Sequence, residues 1–175
     1  MVASSVHVGM AEIHVVKSPS VLTCLGLGSC IGLVAFDPIV EVAGMIHLML
    51  PVSFKDKVLD KPGKFADTGL PELLRLLDAA GAVKSRLVVA YAGGAQVFRF
   101  GDQGNGRLDV GARNIEAVEA AVKVLGIRPI YTDVGGANGR TVTVELASGN
   151  VRVRTVNTGE KVVCNLRARS LREVA

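Results

Sequence analysis

The chain has 175 residues, nearly half of them hydrophobic, with no Trp and three cysteines. That length fits one domain spanning 1–175, able to hide roughly 70% of its unfolded surface. The charge of +4, with arginines late in the chain (Arg152, Arg154, Arg167, Arg169, Arg172) but no interleaved aromatics, argues against a nucleic-acid binder, and no uncharged apolar run reaches the ~18 residues of a membrane helix.

Residues 6–16 alternate around Gly9 and predict one or two strands that carry His7 and His14, each read as a surface or hydrogen-bonded histidine. Ser18-Pro19-Ser20 is a turn. Val21 to Leu25 is a short strand that runs into a glycine turn, Gly26-Leu27-Gly28-Ser29, directly before Cys30. Ile31 to Phe36 and Val42 to Leu50 are apolar runs joined by Asp37-Pro38, a hairpin able to return His47 to the side of Cys30. Ser53 to Lys64 is a polar connection, either a plain surface loop or a border of the site.

A first helix is predicted from Asp67 or Thr68 as N-cap, with Pro71 in its first turn, a stripe of Leu70, Leu73, Leu74 and Leu77, and Gly81 past its end. Leu87 to Tyr91 is a buried strand, followed by Ala92-Gly93-Gly94-Ala95 and a loop at 101–106. A second helix covers about Gly111 to Leu125. Ile127 to Tyr131 reads as a strand, 133–139 as a glycine-rich turn, and Thr141 to Leu146 with Val151 to Val156 as a hairpin. Lys161 to Leu166 adds a last strand before a loose tail from Arg167. About eight to ten strands and two helices imply a mixed sheet or two packed sheets with helices on one side.

The chemistry concentrates between Leu22 and Pro51. A thiol becomes nucleophilic at neutral pH when a base or cation stands beside it, and Cys30 with His47 are the residues able to do this. Ser29 lacks the Gly-x-Ser-x-Gly elbow, since Ile31 takes the place of the second glycine. The Gly26-Leu27-Gly28 turn precedes a strand rather than a helix, which removes the dinucleotide reading. Cys24, Cys30, Cys164 and His47 do not form the two short paired clusters of a zinc site. The odd cysteine count, with no signal-like start in MVASSVHVGM, points to reduced thiols in the cytoplasm. The other reading of Cys30 is a small buried hydrophobe, the usual fate of a free cysteine.

Six blocks in one order resemble the CheD family of chemoreceptor glutamine deamidases: Leu25-Gly26-Leu27-Gly28-Ser29-Cys30 with Asp37-Pro38, Gly44 through Pro51, Pro62 through Thr68, Ala92 through Phe98, Gly111-Ala112-Arg113-Asn114, and Asp133-Val134-Gly135-Gly136. The resemblance implies a cysteine hydrolase of α/β type: a mixed β-sandwich with helices packed outside, as in cytotoxic necrotizing factor toxins. It implies deamidation of glutamines on the cytoplasmic helices of chemotaxis receptors, in some members hydrolysis of receptor glutamyl methyl esters, and a partner, the phosphatase CheC. Cys30 would be the nucleophile and His47 the base, with oxyanion donors on the backbone of Gly28, Ser29 and Cys30 and no metal or organic cofactor. The family's third residue, a threonine six positions before the cysteine, falls here on Cys24, with Thr23 one residue earlier. If the strand is regular, the two point to opposite faces. Conserved register would turn Cys24 inward and leave a backbone carbonyl of the same strand to orient His47. Phe98 is either a partner-binding aromatic or a core residue. The chain is expected to act as a monomer. The rival readings are a non-catalytic CheC-binding adaptor and a cysteine hydrolase of small amides.

Overall fold

The computed structural model describes residues 4–53, 61–97 and 109–168. Among them are ten strands and two α-helices: β1 (Ser5–His7), β2 (Ile13–Lys17), β3 (Val21–Leu27), β4 (Ile31–Asp37), β5 (Val42–Leu48), α1 (Ala66–Ala79), β6 (Val88–Gly93), α2 (Val110–Val124), β7 (Tyr131–Val134), β8 (Arg140–Glu145), β9 (Asn150–Thr155) and β10 (Gly159–Asn165). They form two five-stranded sheets, ordered β1-β3-β8-β9-β10 and β2-β5-β4-β6-β7, each with parallel and antiparallel pairs.

The period-2 alternation of the strands builds the layers. Leu22, Cys24, Val142, Val144, Val151 and Val153 of the first sheet meet Val34, Phe36, Ala43, Met45, Ala90 and Ala92 of the second in one buried cluster. The alternate residues of the second sheet, including Ile31, Leu33, Ile46 and Leu48, turn outward onto Leu70, Leu73 and Leu77 of α1 and Val118 and Val122 of α2. The sheet between two apolar layers explains why β4 and β5 are buried along their whole length and read as continuous apolar runs. The expected sandwich with helices on one outer side is the observed architecture.

Local differences have tertiary causes. Helix α1 starts at Ala66, with Phe65 at its N-cap, rather than at Asp67 or Thr68. The chain entering it is pinned to the end of β5, where Leu50 donates to the Lys64 carbonyl and Ala66 to the Leu50 carbonyl. Asp67 instead accepts from the backbone and hydroxyl of Ser53, Thr68 donates to the Pro62 carbonyl, and Pro71 lies inside the helix. The strand expected at 127–131 begins at Tyr131, because parallel pairing to β6 starts with Ala90 opposite Tyr131. Arg167, expected to open a loose tail, donates to the Leu146 carbonyl and pairs with Glu41 at 2.7 Å. Phe98 and the loop at 101–106 lie outside the described residues.

Asp37, read as a turn residue, is wholly buried. It accepts from the backbone N–H of Ile39 and Val83 and from the Arg86 guanidinium. Burial alone would raise its carboxyl, but the Arg86 and backbone donors outweigh it and hold the group below the usual carboxylate range. A depressed folded-state pKa gives stability that is present above the ordinary carboxylate pKa and lost as pH falls through the folded value. Asp37→Asn is expected to cost about 3 kcal/mol in urea denaturation, the low end for breaking a buried pair, because the Arg86 side chain is 35% exposed. The variant should also lose less of its remaining stability in acid than the parent does.

Candidate active site

Strands β4 and β5 pair with Gly32 opposite His47 and Val34 opposite Met45. Residues directly opposite share a face, so His47 lies on the inter-sheet face with Met45. Cys30, two residues before Gly32, packs against the same inter-sheet cluster. Cys30 and His47 therefore stand diagonally across the pair, with no side chain at Gly32 between them. A Cβ at Gly32 would meet Leu27 Cδ1 at 2.9 Å and Cys24 Sγ at 3.3 Å. The glycine lets β3 approach this end of the second sheet and sets Cys24 facing it across the sandwich.

His47 is 5% exposed, and its surroundings select one tautomer. Its Nδ1 lies 3.1 Å from the Val8 carbonyl oxygen, which can only accept, so Nδ1 carries the proton and Nε2 keeps its lone pair. Val8 is fixed in turn, because its N–H donates to the Thr23 carbonyl at 2.8 Å. The His47 backbone pairs with Ala11 and Glu12. Burial lowers the imidazole pKa and outweighs the raising effects of the Val8 carbonyl and the Glu12 charge. The ring is thus held neutral.

The loop bearing Cys30 is gripped by its carbonyls. Ala95 N–H donates to the Gly28 oxygen at 2.7 Å, Asn114 Nδ2 to the Ser29 oxygen at 2.8 Å, and Gly94 N–H to the Cys30 oxygen at 2.9 Å. In a trans peptide the carbonyl and the following N–H point in opposite directions. The Ser29 and Cys30 N–H groups therefore point away from these anchors, and among the described residues neither has an acceptor. Burial raises the Cys30 thiol; it pushes Cys24 up to about 12, with the neighbouring Cys30 adding to the rise, and Cys164 up to about 11. A neutral thiol beside a neutral imidazole suits proton transfer at the moment of attack better than a standing ion pair. Among the described residues, no three His, Cys, Asp or Glu side chains gather to hold a metal.

The structure turns Cys30, His47 and Cys24 into the space between the sheets but not Thr23. Register is regular from Val21 to Cys24 and shifts only between Cys24 and Leu27. Thr23 therefore faces the other side of the first sheet, its hydroxyl 3.4 Å from that of Thr143. The carbonyl that orients His47 comes from Val8, beyond the end of β1, rather than from the strand of Thr23 and Cys24. A main-chain acceptor 39 residues away leaves no mark in sequence. Thr23→Val is expected to keep activity nearly unchanged, and Cys24→Thr to keep or raise it. A loss of about 100-fold on Thr23→Val with the fold intact would give Thr23 the third role.

Comparison with known proteins bears on what such a site does. A family model described as CheD chemotactic sensory transduction matches residues 49–155. A protein of Desulforamulus reducens named "Probable chemoreceptor glutamine deamidase CheD" is 41% identical over 160 residues, covering 91% of this chain and 96% of the relative. A protein of Symbiobacterium thermophilum with the same name is 44% identical, covering 87% and 93%. The "Chemoreceptor glutamine deamidase CheD" of Halalkalibacterium halodurans is 43% identical, covering 90% and 98%. Similarity of this depth along both partners leaves one assignment: the chain belongs to the CheD family of chemotactic sensory transduction.

Proposed function

We propose that this protein is a chemoreceptor glutamine deamidase in which Cys30 is the nucleophile and His47 the base. The observation that carries the reading is that a half-buried thiol and an imidazole whose Nδ1 is held by the Val8 carbonyl lie towards the same inter-sheet face at one end of the β4–β5 pair. His47 Nε2 takes the Cys30 proton as sulfur attacks the carboxamide carbon of a receptor glutamine. The tetrahedral oxyanion is met by the Ser29 and Cys30 N–H groups. His47 returns the proton to the departing nitrogen, ammonia leaves, and a thioester remains. Water, deprotonated by the same imidazole, then releases glutamate and restores the thiol. A receptor glutamyl methyl ester could follow the same path with methanol as the leaving group. The reaction takes place in the cytoplasm on receptor helices, with CheC as the restraining partner and no metal or organic cofactor taking part. Relatives named as deamidases support the substrate class.

Mass spectrometry of a receptor cytoplasmic fragment tests this directly, since each converted glutamine adds about one mass unit through the covalent route. Unchanged receptor mass with intact CheC binding would leave an adaptor. Turnover of free glutamine without receptor conversion would leave a small-amide hydrolase.

A further inference from the structure

We propose that Asn114 is a positioning residue for this reaction: its carboxamide N–H groups tie the loop that carries Cys30 to the end of the strand that carries His47. Asn114 is completely buried on α2. Its Nδ2 donates to the Ser29 carbonyl at 2.8 Å and to the Met49 carbonyl at 2.9 Å. Ser29 immediately precedes Cys30, and Met49 lies two residues past His47. One amide nitrogen thus pins the Ser29 carbonyl against the neighbouring strand end.

The rest of the helix is arranged to bring that amide in. Asp109 caps α2 by accepting from the Ala112 N–H at 2.9 Å. Gly111 lets the first turn press against the Gly94–Ala95 backbone, where a Cβ would sit 2.5 Å from the Gly94 oxygen. That same backbone holds the Gly28 and Cys30 carbonyls. Asn114 Oδ1 is buried with no partner among the described residues. The amide is therefore held through its N–H groups alone, and both reach site-bearing carbonyls. Because the Ser29 carbonyl and the Cys30 N–H belong to one peptide plane, fixing the first aims the second. Asn114 donates to neither thiol nor imidazole but to the Ser29 and Met49 carbonyls, and so acts through the oxyanion donor.

The inference rests on the deamidase reading, and its test separates the two. In the full chain, Asn114→Ala and Asn114→Asp are assayed for receptor deamidation and, in parallel, for alkylation of Cys30 by iodoacetamide at pH 7. Alkylation displaces iodide at a saturated carbon and forms no oxyanion, so it reports the thiol and base alone. The stoichiometry of alkylation counts intact sites. Deamidation kcat should fall about 100-fold per intact site, while KM and the alkylation rate stay nearly unchanged. A parent protein that does not deamidate receptor sinks the deamidase reading. An active parent whose variants keep kcat, or lose kcat and alkylation together, overturns the role of Asn114. Loss of the fold in both variants assigns Asn114 to the core and overturns it equally.

Discussion

Cys30→Ala is expected to bring receptor deamidation down to the uncatalysed background, a loss of about 10⁴-fold or more, because the proposed mechanism forms its thioester on Cys30. The melting temperature should scarcely move. Cys30 is only partly buried, and the change removes one sulfur at the margin of the inter-sheet cluster. Cys24 is the control for that argument. It is fully buried in the same cluster, so Cys24→Ala should cost stability while leaving the nucleophile in place. Alkylation adds a second measurement. Burial holds Cys24 near 12 and Cys164 near 11, so neither is appreciably ionised at neutral pH. Cys30, with His47 on its face, should be labelled first by iodoacetamide at pH 7. Labelling of Cys164 ahead of Cys30, or deamidation that survives Cys30→Ala, would reassign the nucleophile.

His47→Ala is expected to lower deamidation by about 10²–10⁴-fold, the usual contribution of a well-positioned acid–base group. His7→Ala and His14→Ala should leave it nearly unchanged. His7 pairs opposite Thr23 at the edge of the first sheet, and His14 binds the Glu12 carboxylate at 3.0 Å. The pH profile carries the sign of the two shifts. Burial lowers His47, so its base form persists below the ordinary histidine value, and burial raises Cys30, so the thiol persists above its own. Activity per enzyme should therefore hold a broad plateau through neutrality. Its acid limb should begin below about 6.5 and its alkaline limb above the ordinary thiol range. An acid limb that stays in place when Glu12 is neutralised by Glu12→Gln, on the other hand, would mean that this carboxylate does not reach the ring. The lowered folded-state value also means that protonation favours the unfolded chain, so stability is lost as pH falls from the ordinary histidine value through the folded one.

What the sequence made legible follows the range of each interaction. The strand–turn–strand from Ile31 to Leu50 is local, and its apolar runs and Asp37-Pro38 turn located the hairpin that carries His47. Alternation likewise separated Thr23 from Cys24, since a face is fixed by parity alone. The Val8 carbonyl was not legible, because every residue has one and only the packing of the first strand beside β3 brings this one to His47. Asn114 was visible only as the end of a four-residue block; its two acceptors lie 85 and 65 residues away. Asp37 was read from its local turn, while its role is an ion pair with Arg86 that only the folded arrangement brings together.

The Val8 carbonyl has a consequence for how this protein can vary. A duty held by main chain is invisible to alanine scanning: Val8→Ala removes a side chain and leaves the oxygen that orients His47 where it was. Selection acting through side chains has equally little hold on it. The side chain at position 24 is then not needed to fix the His47 tautomer. Only a change to the main chain itself would expose the dependence, such as deleting the first strand or exchanging the Val8–Gly9 amide for an ester with a weaker acceptor.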